Sequence, residues 1–311
     1  MMSRSVDGMG KALCLAVYFQ KENIMKKDNL VFFYITNDPS VALIAEKYGV
    51  DRIWIDLEVL GKEERQRKMD TVKSHHSISD IALIKPLLCK AQLMVRINPW
   101  HEFSQTEIDE VIRAGCDIIM LPYWKTVDEV RNFTNAVARR CKTTLLLETK
   151  EAVDCVDDVL QQGGFDEIHI GLNDLHLSYG LTFMFELLSN GCVESLCRKF
   201  KSFHIPYGFG GIAGLVEGLL PAEKIIMEHY RLGSSRAILS RSFCNYEKIG
   251  DLTSIERVFR DNMKQLREYE ELLPMMPDSS FIQNKAVVEQ IVDKIVRKRK
   301  LDLLHQAEEE K

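Results

Sequence analysis

The chain has 311 residues, of which 46% are apolar and 28% charged, and its 41 basic and 46 acidic side chains give a formal net charge of −5. This composition excludes a disordered chain, which is poorer in apolar residues, and a collagen-like chain, which is far richer in glycine and proline than 17 and 8 residues. The mild acidity also argues against a nucleic-acid partner.

The first 29 residues contain one apolar run, Ala12–Phe19, which leads directly into the charged segment Gln20–Glu22. This run is far shorter than the roughly 20 residues that cross a bilayer, and it lacks the small-x-small site of a signal peptide. We therefore expect 1–29 to be an N-terminal extension, and we predict no membrane partner. The eight cysteines form no C-x-x-C pair, which favours free thiols over disulfides or zinc and predicts a cytoplasmic protein.

From residue 30 the chain alternates between β-rich apolar runs and helical segments. The predicted strands are Leu30–Ile35, Arg52–Leu57, Leu93–Ile97, Asp117–Leu121, Thr143–Leu147, Glu167–Ile170, Tyr207–Phe209 and Ala237–Leu239. Between them lie predicted helices at Gln105–Ala114, Val127–Arg140, Ala152–Gln161 and Ala222–Leu232. Such alternation requires parallel strands joined by crossover helices.

Eight such units predict a (β/α)₈ TIM barrel over residues 30–245. A doubly wound open sheet is the structural rival, but it usually has fewer strands and a glycine-rich turn after the first strand, which is absent here. From 246 to 311 the strands stop. Two amphipathic helices are predicted there, about 253–272 and 281–306, with a break at Pro274–Pro277. Their apolar stripe requires a covering surface, either the same barrel or a neighbouring subunit.

Function in a TIM barrel gathers where the strands end. Glu148 and Asp174 follow the fifth and sixth strands, which are neighbours in the barrel. Two carboxylates completed by water and substrate suit a hard divalent ion such as Mg²⁺ or Mn²⁺; alternatively, each caps a helix or pairs with a lysine. Arg96 closes an apolar strand, so it either binds a carboxylate or enolate ligand or pairs with Asp56 or Glu58.

Read together, several segments resemble the HpcH/HpaI aldolase/citrate lyase family. They are Gly49–Glu58, Val95–Pro99, Gly115–Pro122, Leu147–Val153 and Phe165–Leu175. The resemblance covers about 30–245 and implies a (β/α)₈ barrel with pyruvate-type aldolase or acyl-CoA lyase activity. It also implies that Glu148 and Asp174 hold the divalent ion and that Arg96 stabilises an enolate. Backbone N–H groups in the segment from Gly171 through Asn173 to Asp174 would then receive the substrate carboxylate.

The chain departs from the family after the second strand, where aldolases usually place a histidine and lyases an aspartate directly after the acidic residue. Val59 stands there, and Ser74-His-His-Ser-Ile-Ser-Asp80 follows a charged insertion. Because an imidazole suits proton transfer near neutral pH, we expect His76 to be the catalytic acid/base, with His75 as the substitute. The alternative is an exposed histidine pair that precedes a helix capped by Ser79.

Two later loops bear on the substrate. Gly208–Gly214 follows the seventh strand, and Ser240-Arg241-Ser242 follows the eighth. Barrels often bind phosphate at this position, although simple turn chemistry also explains the glycines. We therefore expect Ser240 and Arg241 to bind a phosphorylated or sugar-derived partner.

These features together predict a divalent-metal-dependent carbon–carbon lyase or aldolase that works through a pyruvate-like enolate on a hydroxy-keto acid. Its partners would be a small keto acid and an aldehyde. A citryl- or malyl-CoA-type lyase and a non-catalytic metal-binding barrel remain alternatives. Relatives that the sequence resembles exchange C-terminal helices between subunits, so we expect residues 246–311 to support a homo-oligomer.

Overall fold

The computed structural model describes residues 29–61, 76–215 and 218–309, and the side chains of 303–309 are left out of the description. In these ranges eight parallel strands close into a barrel in which each strand pairs with the next in the chain and the eighth pairs with the first. The prediction of a (β/α)₈ barrel is therefore confirmed. The eight strands are β1 Val31–Ile35, β2 Arg52–Asp56, β3 Gln92–Arg96, β4 Ile118–Leu121, β5 Lys142–Leu147, β6 Glu167–Ile170, β7 Tyr207–Ile212 and β8 Arg236–Leu239.

Helices cover the outside of the barrel and extend beyond it at the C-terminal end. Those of the barrel are α1 Pro39–Lys47, α2 Ile78–Ile84, α3 Ser104–Ala114, α4 Val127–Val137, α5 Lys150–Asp154, α6 Val156–Gln162, α7 Leu172–Ser178, α8 Glu186–Ser189, α9 Cys192–Ser202 and α10 Ala222–Leu232. They are followed by α11 Tyr246–Ile249, α12 Leu252–Leu272 and α13 Asp278–Glu309. Within the described residues, none of these helices has an apolar stretch long enough to span a bilayer.

Two predicted helices differ from the structure for local reasons. The helix that begins at Val127 ends at Val137 because Ala138 and Arg139 take left-handed backbone conformations, with φ of 53° and 58°. The helix predicted over 152–161 is divided into α5 and α6 at Cys155, whose φ and ψ of −103° and 8° are not helical. Such departures depend on local backbone geometry that apolar periodicity does not encode.

The barrel interior has an apolar layer and a charged floor. Phe33, Trp54, Met94, Ile118, Met120 and Leu146 form the apolar layer. Below it, Glu167 accepts hydrogen bonds from both Arg52 and Arg236, and also from Thr144. This buried ion cluster lies at the start of the strands, so it is separated from the mouth by the apolar layer.

The C-terminal helices fold back onto the barrel of their own chain. In α12, Glu270 accepts a hydrogen bond from the Leu30 N–H at 2.8 Å, and Arg267 donates to the Leu30 carbonyl at 2.9 Å. Helix α13 packs against α8 and α10 and buries Val288, Val292 and Val296 along one face. The apolar stripe therefore finds a covering surface within the chain, and homo-oligomerisation remains a prediction.

Candidate active site

Arg96, the last residue of β3, lies in an ion cluster at the barrel mouth. Its Nε and Nη2 donate to the two carboxylate oxygens of Asp56 at 2.8 Å each, and Nη2 lies 3.3 Å from Glu58 Oε2. The guanidinium carbon is 5.0 Å from the centroid of the Trp54 ring. The ion pair that the sequence offered as an alternative is thus present, and it uses only Nε and Nη2.

Buried carboxylates surround Arg96 at the mouth. Asp56, Glu58 and Glu148 are each 3% exposed or less. Burial opposes the charge on Arg96, but the Asp56, Glu58 and Glu148 carboxylates outweigh it and raise the Arg96 pKa well above its ordinary value. Arg96 therefore lies close to three buried carboxylates, and their charges favour its protonated form.

Glu148 follows β5 directly, and two backbone features fix its side chain. The Tyr123 N–H donates to Glu148 Oε1 at 3.0 Å, and Tyr123 has a φ of 51°, a left-handed conformation that costs free energy for a non-glycine residue. On the other side, a Cβ at Gly171 would lie 2.8 Å from Glu148 Oε2 and 2.9 Å from Glu148 Cβ. A glycine is therefore required beside this carboxylate.

Asp174 lies at the neighbouring strand end. Strands β5 and β6 pair through Leu147 and Ile170, and the Gly171 N–H donates to the Leu147 carbonyl at 2.9 Å. Asp174 is the third residue of the helix α7 that follows and is half-buried. Glu148 and Asp174 thus follow adjacent strands, as the sequence predicts.

These carboxylates suit a hard divalent cation. Among residues 29–61, 76–215 and 218–309, no group of three or more His, Cys, Asp and Glu side chains is arranged to hold a metal. If Glu148 and Asp174 held an ion, water and substrate oxygens would supply the remaining ligands, as is common for Mg²⁺. The hard oxygen donors of Glu148 and Asp174 fit such an ion.

His76 is held at the mouth by its Nδ1 atom, which accepts a hydrogen bond from the Asp56 N–H at 2.9 Å. Because Nδ1 is an acceptor, this bond assigns the proton of the neutral ring to Nε2. Asp80 has a separate task, because its Oδ2 accepts from the Ser77 N–H at 2.7 Å. Ser77, rather than Ser79, is the N-cap of α2, and His75 lies outside the described residues.

Asn98 is a positioning residue that sequence reasoning missed. Its side-chain oxygen accepts from the N–H groups of Val59 at 2.9 Å and Leu60 at 3.0 Å, just after β2. Its side-chain nitrogen donates to Glu107 at 2.8 Å, and the other Glu107 oxygen lies 3.2 Å from His101 Nε2. The only sequence signal was the position of Asn98 directly after Ile97, at the end of an apolar strand.

The remaining predicted residues, Ser240 and Arg241, and two further histidines of the barrel occupy other places. Ser240 and Arg241 follow β8, and β7 lies between β8 and the strand that precedes Asp174. The Ser240 hydroxyl lies 2.9 Å from that of Ser242. His169 is fully buried within the barrel, and this burial lowers its pKa to about 4. His176 is also buried and donates from Nδ1 to the Leu172 carbonyl at 3.2 Å, so it is occupied within its own helix.

Comparison with solved structures supports the barrel assignment. An HpcH/HpaI aldolase from Desulfitobacterium hafniense DCB-2 superposes with a TM-score of 0.54 and 16% identity, covering 76% of this chain and 96% of that one. An HpcH/HpaI aldolase/citrate lyase family protein from Burkholderia cenocepacia J2315 gives a TM-score of 0.54 and 15% identity, covering 74% and 96%. The citrate synthase SbnG gives 0.54 and 16%, covering 76% and 97%. At these identities the likeness establishes the fold alone.

The family assignment comes from the sequence. No curated protein matches the chain. The model of the HpcH/HpaI aldolase/citrate lyase family matches residues 29–185, just over half of the chain. This match spans β1 to β6 and includes Arg96, Glu148 and Asp174. The chain therefore belongs to the HpcH/HpaI aldolase/citrate lyase family.

Proposed function

We propose that the protein is a divalent-metal-dependent carbon–carbon lyase or aldolase that works through a pyruvate-like enolate on a hydroxy-keto acid. The observation that carries this proposal is the mouth itself, where Glu148 and Asp174 follow adjacent strands and Arg96 lies beside the buried Asp56 and Glu58 carboxylates. A purely structural ion pair requires one carboxylate for Arg96, and Asp56 already supplies it through two hydrogen bonds. Glu148 and Asp174, which follow adjacent strands, would hold Mg²⁺ or Mn²⁺.

The ion, when bound, would polarise the keto oxygen of the substrate and make the adjacent methyl protons acidic. Arg96 would place its positive charge near the oxygen that becomes negative in the enolate. Its orientation is fixed in advance, because Asp56 holds the guanidinium by a bidentate contact.

His76 would act as a proton donor in the direction of bond formation. The bond from the Asp56 N–H to Nδ1 leaves the proton on Nε2, so the neutral ring can give a proton to the oxygen of the incoming aldehyde. The same geometry disfavours His76 as the base in that direction. Nε2 already carries a proton, so it has no lone pair with which to accept another.

The partner is an aldehyde, and Ser240 and Arg241 after β8 would select one that carries a phosphate. The keto acid would bind through its carboxylate at the backbone N–H groups of Asn173 and Asp174, next to Gly171. Activity in the cytoplasm and a homo-oligomeric state complete the proposal.

The first test is proton exchange into pyruvate, followed by proton NMR in D₂O. We expect the methyl signal to decline with Mg²⁺ and to persist with EDTA or in the Glu148→Gln variant. The control is Glu151→Gln, an exposed glutamate in the first turn of α5, which should behave as the wild type. Binding of Mn²⁺, followed by electron paramagnetic resonance, should be lost in Glu148→Gln and kept in Glu151→Gln.

Each outcome has a distinct meaning. Mn²⁺ binding without exchange would contradict the pyruvate enolate and direct assays toward CoA thioesters or a non-catalytic barrel. Absence of Mn²⁺ binding in the folded wild-type protein would contradict the metal site itself.

A further inference from the structure

A second feature lies at the opposite end of the barrel from the mouth. A cleft of about 660 Å³ opens where β4 and β5 begin. Cys141, Arg139 and Lys142 line one side of it, and Thr134 and Asp166 lie around the rest. Because the functional residues described above follow the strands and these residues precede them, the cleft is separate from the proposed active site.

Cys141 lines this cleft, and Cys116 lies beside it on the neighbouring strand segment. Cys116 lies two residues before β4, and Cys141 lies directly before β5. The two strands pair with Ile118 opposite Lys142, and the Lys142 N–H donates to the Asp117 carbonyl at 3.1 Å. In this register Cys116 is offset from Cys141 by one residue along neighbouring strands.

The register places the two Cα atoms within reach of a disulfide. Neighbouring strands are about 4.8 Å apart and rise about 3.3 Å per residue, so a one-residue offset separates the Cα atoms by about 6 Å. Native disulfides span Cα separations of about 4.4–6.8 Å. Both side chains pack against the same apolar cluster outside the barrel, and the two thiols lie close enough to shift each other's pKa.

The two thiols differ in access and in charge. Cys116 is 8% exposed, whereas Cys141 is half-buried and lines the cleft. The neighbouring Cys116 thiol, aided by the charge of Arg140, lowers the pKa of Cys141, and the Cys141 thiol together with burial raises the pKa of Cys116. By contrast, burial raises the pKa of Cys155 and of Cys192, which are also half-buried. Cys141 therefore combines an accessible sulfur with a stabilised thiolate and a second thiol behind it.

We propose that Cys141 and Cys116 form a peroxide-sensitive thiol pair that closes to a disulfide between β4 and β5. The Cys141 thiolate attacks one oxygen of hydrogen peroxide, the O–O bond breaks, and with one proton the products are Cys141 sulfenic acid and water. The Cys116 thiol then attacks the Cys141 sulfur; the S–S bond forms, and the hydroxyl leaves with the thiol proton as a second water. The two thiols lose two electrons in total, and peroxide gains them.

The test treats the intact protein with hydrogen peroxide, alkylates the remaining thiols and digests the chain with trypsin. We expect mass spectrometry to find peptide 114–125 joined to peptide 141–142, and dithiothreitol to release the two peptides. In Cys116→Ser, dimedone should label Cys141, because its sulfenic acid no longer has a partner. In Cys141→Ser, dimedone should leave Cys116 unlabelled.

Cys155 provides the control within the same molecule. Without peroxide, iodoacetamide should modify Cys141 several-fold faster than Cys155 in the folded wild type, and circular dichroism should show that both serine variants are folded. Two results would overturn the proposal: equal labelling of Cys141 and Cys155 with no 116–141 cross-link after peroxide, or a cross-link that forms only between two chains.

Discussion

The contact between Gly171 and Glu148 gives the sharpest test of the proposed metal site. Gly171 has φ of −79° and ψ of 86°, which alanine can adopt, so a Gly171→Ala substitution acts through space and not through backbone strain. The new Cβ would lie 2.8 Å from Glu148 Oε2, 2.9 Å from Glu148 Cβ and 3.3 Å from Leu146 Cδ1. Carbon atoms prefer separations of about 3.5–4.0 Å, so Glu148 must move.

The expected cost has two parts. Overpacking in a closed core costs about 1–3 kcal/mol, and we expect the upper half of that range because one of the crowded atoms is Glu148 Cβ, which the main chain holds. Displacing a metal ligand through a neighbouring residue typically weakens metal binding by about 10–100-fold, or roughly 1.4–2.8 kcal/mol. Urea unfolding without metal measures the first part, and Mn²⁺ titration followed by electron paramagnetic resonance measures the second.

Gly211→Ala is the matched control. Gly211 lies in β7, and a Cβ there would meet Ser240 Cβ at 3.4 Å and the Ile238 carbonyl at 3.8 Å, which requires little movement. We expect this variant to bind Mn²⁺ as the wild type does. If Gly171→Ala remains folded and binds Mn²⁺ with unchanged affinity, Glu148 is not a ligand or its position does not depend on Gly171, and the reasoning fails.

Three further predictions concern buried polar groups. The pKa of His169 is about 4 in the folded protein and about 6.5 in the unfolded chain, so the free energy of unfolding falls as the pH drops from 6.5 to 4. Over this range, urea unfolding should show the wild type losing about 3 kcal/mol more of this free energy than His169→Asn does. Arg96→Met removes the guanidinium that Asp56 and Glu58 contact. We expect it to lower the free energy of unfolding at pH 7 by about 3–5 kcal/mol, measured in the same way. Glu270→Ala removes the acceptor of the Leu30 N–H and should lower the free energy of unfolding by about 1–3 kcal/mol. For each of the three variants, a free energy of unfolding equal to that of the wild type under the stated conditions would contradict the role given to the substituted residue.

The strands could be predicted from the sequence because each is an apolar run bounded by turn residues, and a barrel of parallel strands buries both faces of each run. The register between β7 and β8 and the extension of β7 to Ile212 depend on the pairing of these two strands. The apolar pattern of one strand carries no information about such pairing. Likewise, the end of α4 follows from the positive φ values of Ala138 and Arg139.

The candidate site was predictable in its charged residues but not in their hydrogen bonds. Arg96, Glu148 and Asp174 stand out because each closes or follows an apolar strand. The bond from the Asp56 N–H to His76 Nδ1 joins residues 20 positions apart, and the anchoring of Val59 by Asn98 joins residues 39 positions apart. Such long-range polar contacts are fixed by the closed barrel, so they become visible only when the strand ends are placed together.

Asn284 in α13 offers a way to tell packing within one chain from exchange between subunits. Its side-chain nitrogen donates to Glu228 Oε1 and to the Lys224 carbonyl, both in α10, at 3.0 Å. Asn284→Ala removes both bonds and leaves buried acceptors, which should cost about 1–3 kcal/mol. If α13 covers its own barrel, this loss is independent of protein concentration.

In an oligomer with exchanged helices, the same bonds would join two chains. The unfolding midpoint of the wild type would then rise with protein concentration by mass action, and Asn284→Ala would also weaken assembly. The matched control is Gln283→Ala, an exposed neighbour in α13, which should change neither quantity. Thermal unfolding over a hundredfold range of concentration, with sedimentation to follow mass, separates the two cases. A midpoint independent of concentration, with a monomeric mass throughout, would exclude exchange and leave α13 as a covering helix of its own barrel.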